Sequence, residues 1–171
     1  FLFFLGIFLV KGRLKNWLVA ATVFSILLSW GKNFDLLTNF FIDYVPLYNK
    51  FRVVSSIQVI AELAVPLLGI IAVQKYLDDS VSRERKLNAL KYSLFILGGI
   101  ALFFTVVGSS FFAFESLRDT NYENMIPGFS EVIIMDRKSI FIQDSFRSLL
   151  FVLLTASILW LFLRKKISKN V

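Results

Sequence analysis

Long apolar runs are the feature of this 171-residue chain that most constrains its fold. After an opening run of ten residues, FLFFLGIFLV, four further runs cover residues 16–30, 53–73, 92–114 and 148–163. An α-helix rises about 1.5 Å per residue and the hydrocarbon layer is about 30 Å thick, so 53–73 and 92–114 can cross it unaided. Hydrophobic residues make up 57% of the chain, far above the norm for soluble domains. The sequence therefore predicts an all-α, polytopic transmembrane helix bundle with four complete spans and one partial span.

The opening run, residues 1–10, is the predicted partial span. Ten residues are too few to cross the hydrocarbon, and positive charges follow the apolar residues rather than precede them, which is the reverse of a secretory signal. We therefore interpret the chain as an internal fragment of a longer protein, with residues 1–171 forming a single transmembrane region.

Lys and Arg are distributed unequally between the segments that join the runs. Twelve lie in residues 11–15, 75–91 and 164–171, and seven lie in residues 31–52 and 115–147. Because cytoplasmic segments are enriched in Lys and Arg, the first three segments are predicted to be cytoplasmic and the other two to be outer segments. Orientation thus accounts for the net charge of +7, and we predict no nucleic-acid partner.

The chain contains no Cys and no His, which restricts the chemistry that it can perform. Disulfides, metal sites built from Cys or His, and Ser-His-Asp catalysis are excluded within it. We predict neither a cofactor nor a metal site. Acid–base chemistry within the chain would depend on Asp, Glu, Lys or Tyr.

The outer segments combine charges with aromatic residues or turn formers. Residues 31–52 are predicted to lie in the outer interface as a short helix followed by a turn at Val45 and Pro46. In the second outer segment, RDTNYENMIPGFSE is predicted to be a turn-rich loop. Asp136 is predicted to cap a helix that begins at Arg137 and continues into the last span. The cytoplasmic stretch SRERKLNALK is predicted to be a solvated turn.

The run over residues 53–73 carries a glutamate at its centre. On a helix that starts near Arg52, positions 52, 55, 59, 62, 66, 69 and 73 fall on one stripe, with Gln58 beside it. An ionisable group that faces lipid costs at least about 2.5 kcal/mol, so this polar stripe is predicted to face the bundle interior or a wet cavity. Pro66 also removes the hydrogen bond to the carbonyl of Glu62.

Gln58 and Glu62 are therefore a candidate intramembrane polar site for a proton, an ion or a substrate. The alternative is a protonated Glu62 that is hydrogen-bonded to a neighbouring helix beside a packing kink, because burial alone raises the pKa of a carboxyl group.

Two cations, Lys50 and Arg52, precede that helix at the predicted outer interface, near Asp43 and Tyr48. A cation pair at this depth suits the phosphate of a lipid-linked substrate, and Arg can contact it through two parallel hydrogen bonds. The alternative is that both side chains extend to ordinary lipid headgroups.

Two stretches of the sequence resemble YfhO-type proteins, which are large bacterial polytopic membrane proteins. They are NFFIDYVPLYNKFRVVSSIQVIAELAVPLLGIIAV, residues 39–73, and DRKSIFIQDSFRSLLFVLL, residues 136–154. The most specific element is PLYNKFR beside a Ser-rich helix start, although Val53 and Val54 stand where that pattern would place a proline. The remaining spans agree with the family only in hydropathy.

The resemblance implies a glycosyltransferase of the GT-C type in the bacterial cytoplasmic membrane. Such an enzyme takes a sugar from a polyprenyl-phosphate-linked donor and transfers it to a cell-envelope polymer on the extracytoplasmic side. Its catalytic carboxylate is expected in a loop upstream of Phe1, so the catalytic residue is unknown. The implied partners are the lipid-linked donor, the polymer acceptor and membrane lipids.

The resemblance also assigns roles to six candidate substrate-binding residues. Lys50 and Arg52 would hold the donor phosphate, and Tyr48 and Asp43 would border the sugar or the acceptor. The opposite wall would include Asp136 with Arg137. Two other function classes stay open: a secondary transporter or lipid flippase with a midplane site at Glu62 and Pro66, and a non-catalytic membrane scaffold.

The predicted topology can be tested by thiol labelling, because the chain has no cysteine of its own. We expect a membrane-impermeant maleimide to label Asn49→Cys in intact cells, and to label Ser80→Cys only after the cells are permeabilised. Labelling of Asn49→Cys from the cytosol alone would reverse the topology and remove the proposed donor site from the outer face.

Overall fold

The computed structural model describes residues 1–46, 54–116, 119 and 127–164. Every regular element in this part of the chain is helical, so the predicted all-α class is confirmed there. The α-helices are α1 (Leu2–Leu9), α2 (Arg13–Ser29), α3 (Asp35–Tyr44), α4 (Val59–Leu77), α5 (Arg83–Phe103), α6 (Ser109–Phe111) and α7 (Phe129–Leu163). Two 3-10 turns, Gly31–Phe34 and Val54–Gln58, precede α3 and α4, and a π turn, Phe104–Gly108, joins α5 to α6.

Among the described residues, three continuous helical stretches are long and apolar enough to cross a membrane, which indicates a membrane protein. They are Ser56–Leu77, Arg83–Phe111 and Phe129–Leu163. These stretches contain most of the predicted spans 53–73 and 92–114 and all of the predicted span 148–163. The count of four complete spans is not confirmed, because α2 has 17 residues and a length of about 25 Å, which is short of the hydrocarbon thickness.

The chain forms two compact units, Phe1–Ala89 and Leu90–Val171, and the boundary falls within α5. In the first unit, α4 packs against both α1 and α2. Its buried face repeats every four residues, as one face of a helix does. That face consists of Ala64, Leu68, Ala72 and Tyr76.

Two glycines bring α1 and α4 close together. A Cβ atom added at Gly6 would lie 2.7 Å from Cγ of Leu68 and 3.0 Å from its carbonyl oxygen. A Cβ atom added at Gly69 would lie 3.2 Å from Cβ of Leu2. Small residues at such contacts let the backbones of membrane helices approach one another.

The short helix and the turn predicted for residues 31–52 are confirmed over the described residues 31–46. This segment forms α3, and the chain then turns extended at Val45, with φ −99° and ψ 116°, directly before Pro46. Oγ1 of Thr38 donates a hydrogen bond to the Gly31 carbonyl at 2.9 Å, which ties α3 to the preceding 3-10 turn. The rings of Phe24 and Phe41 lie 5.4 Å apart and pack α3 on α2.

Two predicted helix boundaries are wrong. The stretch SRERKLNALK is helical from Arg83, because Lys86, Ala89 and Leu90 lie on one face at helical spacing and are all buried. The last helix begins at Phe129, seven residues before Asp136, so Asp136 is not its cap. Gly128 stands at the N-cap with φ 83°, a conformation that glycine adopts without strain.

Replacing the glycine at the tight contact is expected to destabilise the first unit. Gly6→Ala should lower the free energy of unfolding by about 1–3 kcal/mol, because Leu68 must move. Gly99→Ala is the matched control: its added Cβ would meet no atom within 4 Å, so we expect no loss, or a gain of up to about 1 kcal/mol. Unfolding in mixed detergent micelles measures both, and equal effects would contradict the proposed packing role of Gly6.

Candidate functional site

The predicted outer site is described only in part. Tyr48, Lys50 and Arg52 lie outside the described residues, so their role as phosphate ligands stays a prediction. Asp43 lies in the last turn of α3 with an exposed side chain, and the Tyr44 ring beside it is also exposed.

The predicted intramembrane residues lie at the start of α4. Nε2 of Gln58 donates a hydrogen bond to Oγ of Ser29 at 3.0 Å, which links the end of α2 to the turn before α4. Glu62 and Pro66 are exposed in the first unit, whereas Gly69 is buried against α1. The predicted polar stripe therefore does not coincide with the face that α4 buries.

The second unit contains a cavity of about 650 Å³, a volume typical of small-molecule sites. The α5 helix and the π turn supply one wall, and α7 supplies the other. Most of its lining is apolar: Leu97, Ile100, Ala101, Phe104, Phe114, Ile140, Phe141 and Val152.

The polar lining of this cavity comes from one face of α7. Counted from Arg137, the residues Asp144, Ser145 and Ser148 lie at i+7, i+8 and i+11, positions that share one broad stripe of a helix. Oδ1 of Asp144 pairs with Nη2 of Arg147 at 3.1 Å, but both side chains are mostly exposed and such a pair contributes little to stability. The cavity thus combines an apolar interior with a limited set of ionic and hydroxyl groups.

A bidentate ion pair holds Arg137 in place. Its Nη1 lies 2.7 Å from Oδ2 of Asp119 and its Nη2 lies 2.8 Å from Oδ1. Nη1 also donates to the Phe114 carbonyl at 2.9 Å, and Oδ2 of Asp119 accepts the backbone N–H of Ser116 at 2.7 Å. Only 8% of the Asp119 side chain is exposed. These bonds fasten the segment after α6 onto α7, and we call them the Asp119–Arg137 clamp.

The clamp also sets the protonation of its carboxylate. Hydrogen bonds from Arg137 hold the pKa of Asp119 below its ordinary value, and the Ser116 N–H and the guanidinium charge act in the same direction. Asp119 is therefore ionised at neutral pH, and it offsets the charge of Arg137 at the edge of the cavity.

Phe104, Phe112 and Phe114 surround the ring of Phe141 and form an aromatic wall with it, and Phe104, Phe114 and Phe141 line the cavity. The Phe141 ring lies 6.1 Å from Phe104, 5.7 Å from Phe112 and 5.4 Å from Phe114, in edge-to-face geometries. A Cβ atom added at Gly108 would lie 2.9 Å from this ring, so the π turn can reach Phe141 only because residue 108 is glycine. Turns of this type frequently occur at functional sites.

Sequence reasoning identified one member of the clamp and missed the other. Arg137 was predicted as a site residue and lines the cavity, whereas its neighbour Asp136 is exposed and lies outside the lining. Asp119 lies 18 residues from Arg137, in a stretch predicted only as a loop, and no spacing rule connects the two. Among the described residues, no group of three acidic side chains is placed to hold a metal ion.

Comparison of the chain with models of known protein families, with curated proteins and with solved structures finds no match. The chemistry of the site therefore has to be argued from its own residues.

The clamp makes stability dependent on acid pH. Because the pKa of Asp119 is lowered on folding, its stabilising contribution is present above the unfolded value of about 4 and is lost as pH falls below it. We expect Asp119→Asn to unfold at a lower temperature than the parent at pH 7, and this difference to shrink below about pH 4. Glu131→Gln, which removes an exposed carboxylate on α7, is the control. A pH-independent deficit in Asp119→Asn would contradict the ionic nature of the clamp.

Proposed function

We propose that the chain is the lipid-binding part of an integral membrane glycosyltransferase that uses a polyprenyl-phosphate-linked sugar donor and acts on a cell-envelope polymer. The observation that carries the proposal is the cavity of about 650 Å³, whose apolar walls meet the polar face of α7. A polyprenyl phosphate has the same division into a long apolar chain and a charged head.

Each part of such a donor has a counterpart in the cavity. The isoprenoid chain would pack on Leu97, Ile100 and Val152, where burial of apolar surface contributes about 25 cal/mol per Å². The head would lie towards Ser145 and Ser148, whose hydroxyls can donate hydrogen bonds to phosphate or sugar oxygens.

The charge that binds the phosphate has a separate source in this proposal. Asp119 offsets the charge of Arg137, so the main effect of Arg137 is to fix the edge of the cavity. Lys50 and Arg52 keep the assignment to the donor phosphate that the resemblance to YfhO-type proteins gives them, and this assignment is proposed independently of the cavity. Asp43 and Tyr48 keep their proposed place beside the sugar or the acceptor.

One observation favours a second candidate, a secondary transporter or lipid flippase. Glu62 lies within an apolar helix long enough to span a membrane, and Pro66 leaves its backbone carbonyl without the usual helical partner. A proton-coupled mechanism would depend on this carboxyl group, whereas sugar transfer would not.

Filling the cavity is expected to weaken donor binding. Ser148→Phe places a ring inside it, whereas Ser157→Phe places the same ring on an exposed part of α7 outside the lining. We expect cross-linking of a photoreactive polyprenyl phosphate to fall at least about tenfold in Ser148→Phe, equivalent to about 1.4 kcal/mol, and to be unchanged in Ser157→Phe. Equal cross-linking of the two variants would remove the cavity from the proposal.

Sugar incorporation into envelope polymer separates the two candidates. In the full-length protein, a transferase should lose roughly 10–100-fold activity in Arg52→Ala, the cost of one charge-assisted hydrogen bond, and should tolerate Glu62→Gln. A proton-coupled transporter should show the reverse. Arg52→Lys keeps the charge without the paired donors and should lie in between. Full activity of Arg52→Ala would count against the transferase.

A further inference from the structure

One end of the first unit concentrates positive charge. There the chain passes from α1 to α2 and, later, from α4 to α5. Nη2 of Arg85 donates a hydrogen bond to the Leu9 carbonyl at 3.2 Å, so the start of α5 lies against the end of α1. Since α1 also packs along α4, both turns belong to the same end of this unit.

This basic end is defined by seven cations and three carboxylates. The cations are Lys11, Arg13, Lys15, Lys75, Arg83, Arg85 and Lys86, and the carboxylates are Asp78, Asp79 and Glu84. Nζ of Lys75 lies 3.0 Å from Oδ2 of Asp78, whose Oδ1 accepts the backbone N–H of Ser80. Asp78 is therefore already engaged. With seven cations against three carboxylates, the basic end keeps a net positive charge.

Lys86 is the one member of the basic end that is buried among the described residues. Its residue surface is only 6% exposed, and no described residue gives its ammonium an ion pair. The stem of Lys86 is therefore packed inside the unit, and its charge adds to the positive field of the basic end.

The backbone adds to the same field. The α2 helix begins here at Arg13, with Gly12 at φ 116°, no side-chain cap and no acidic residue in its first turn. The positive end of the helix dipole therefore adds to the charges of the side chains.

We infer that the basic end binds the phosphate headgroup of an anionic phospholipid. The membrane is the source of this anion in the inference. One apolar stretch of spanning length, Ser56–Leu77, ends at the basic end, and another, Arg83–Phe111, begins there. Clusters of Lys and Arg at that depth are attracted to anionic lipid surfaces. The inference does not depend on the proposed glycosyltransferase function, which concerns the second unit and the outer segments.

Two of the exposed cations are suited to contact the phosphate directly. Arg13 is the first residue of α2 and Arg83 is the first residue of α5. Both are exposed, and a guanidinium can bind phosphate through two parallel hydrogen bonds. Neither is used in an ion pair among the described residues, so their removal tests binding without breaking an internal contact.

The test measures lipid preference in reconstituted membranes. The full chain is placed in an equal mixture of phosphatidylcholine and phosphatidylglycerol, and electron spin resonance of spin-labelled lipids gives their relative association constants. We expect the preference for phosphatidylglycerol to fall by up to about five-fold in Lys11→Gln, and to be lost in the triple variant Lys11→Gln, Arg13→Gln, Arg83→Gln. High salt should weaken the preference of the parent protein.

Lys138→Gln is the matched control, because it removes one exposed cation from α7, in the other unit. The preference should be unchanged in this variant. The inference is overturned if the triple variant keeps the preference of the parent, or if Lys138→Gln reduces it as much as Lys11→Gln does. Thermal unfolding of each variant in detergent tests whether a lost preference reflects a lost fold.

Discussion

The structure depends on one constraint: a polar backbone group within hydrocarbon has no water to bind, so each spanning segment must satisfy its own N–H and C=O groups. Helices meet this requirement, and the hydroxyls within them follow the same rule. Thr22, Thr105 and Thr155 each donate to the carbonyl four residues earlier, at 2.7 to 2.8 Å. Few polar groups are then left to join one helix to another, and close packing at Gly6 and Gly69 performs that role.

The sequence is informative wherever local chemistry decides the outcome. Run length located the three long apolar helices, and the restriction that Pro46 places on Val45 located the end of α3. The helix starts at Arg83 and Phe129 were missed because hydropathy registers only the apolar part of a helix. Charged residues continue a helix readily, so the polar turns that precede an apolar run give no hydropathy signal.

The candidate site shows where sequence reasoning stops. A helical wheel places Glu62, Pro66 and Gly69 on one stripe, but it cannot tell which side a neighbouring helix will cover, and in the structure only Gly69 of the three is buried. That choice is made by the contact of Gly6 with Leu68, which lies 62 positions further along the chain. The clamp has the same origin: Arg137 stands on a regular helix, whereas Asp119 reaches it from a segment without periodicity.

The π turn at Phe104–Gly108 holds one residue more than an α-helix would over the same rise. If this turn relaxed to α-helix, the residues directly after it, α6 and the segment to Phe114, would rotate by about 100° around the axis relative to α5, the angle of a single residue. Phe112 and Phe114 would then leave Phe141, and the aromatic wall would open. The shape of the cavity is thus coupled to the winding of the helix at Phe104–Gly108.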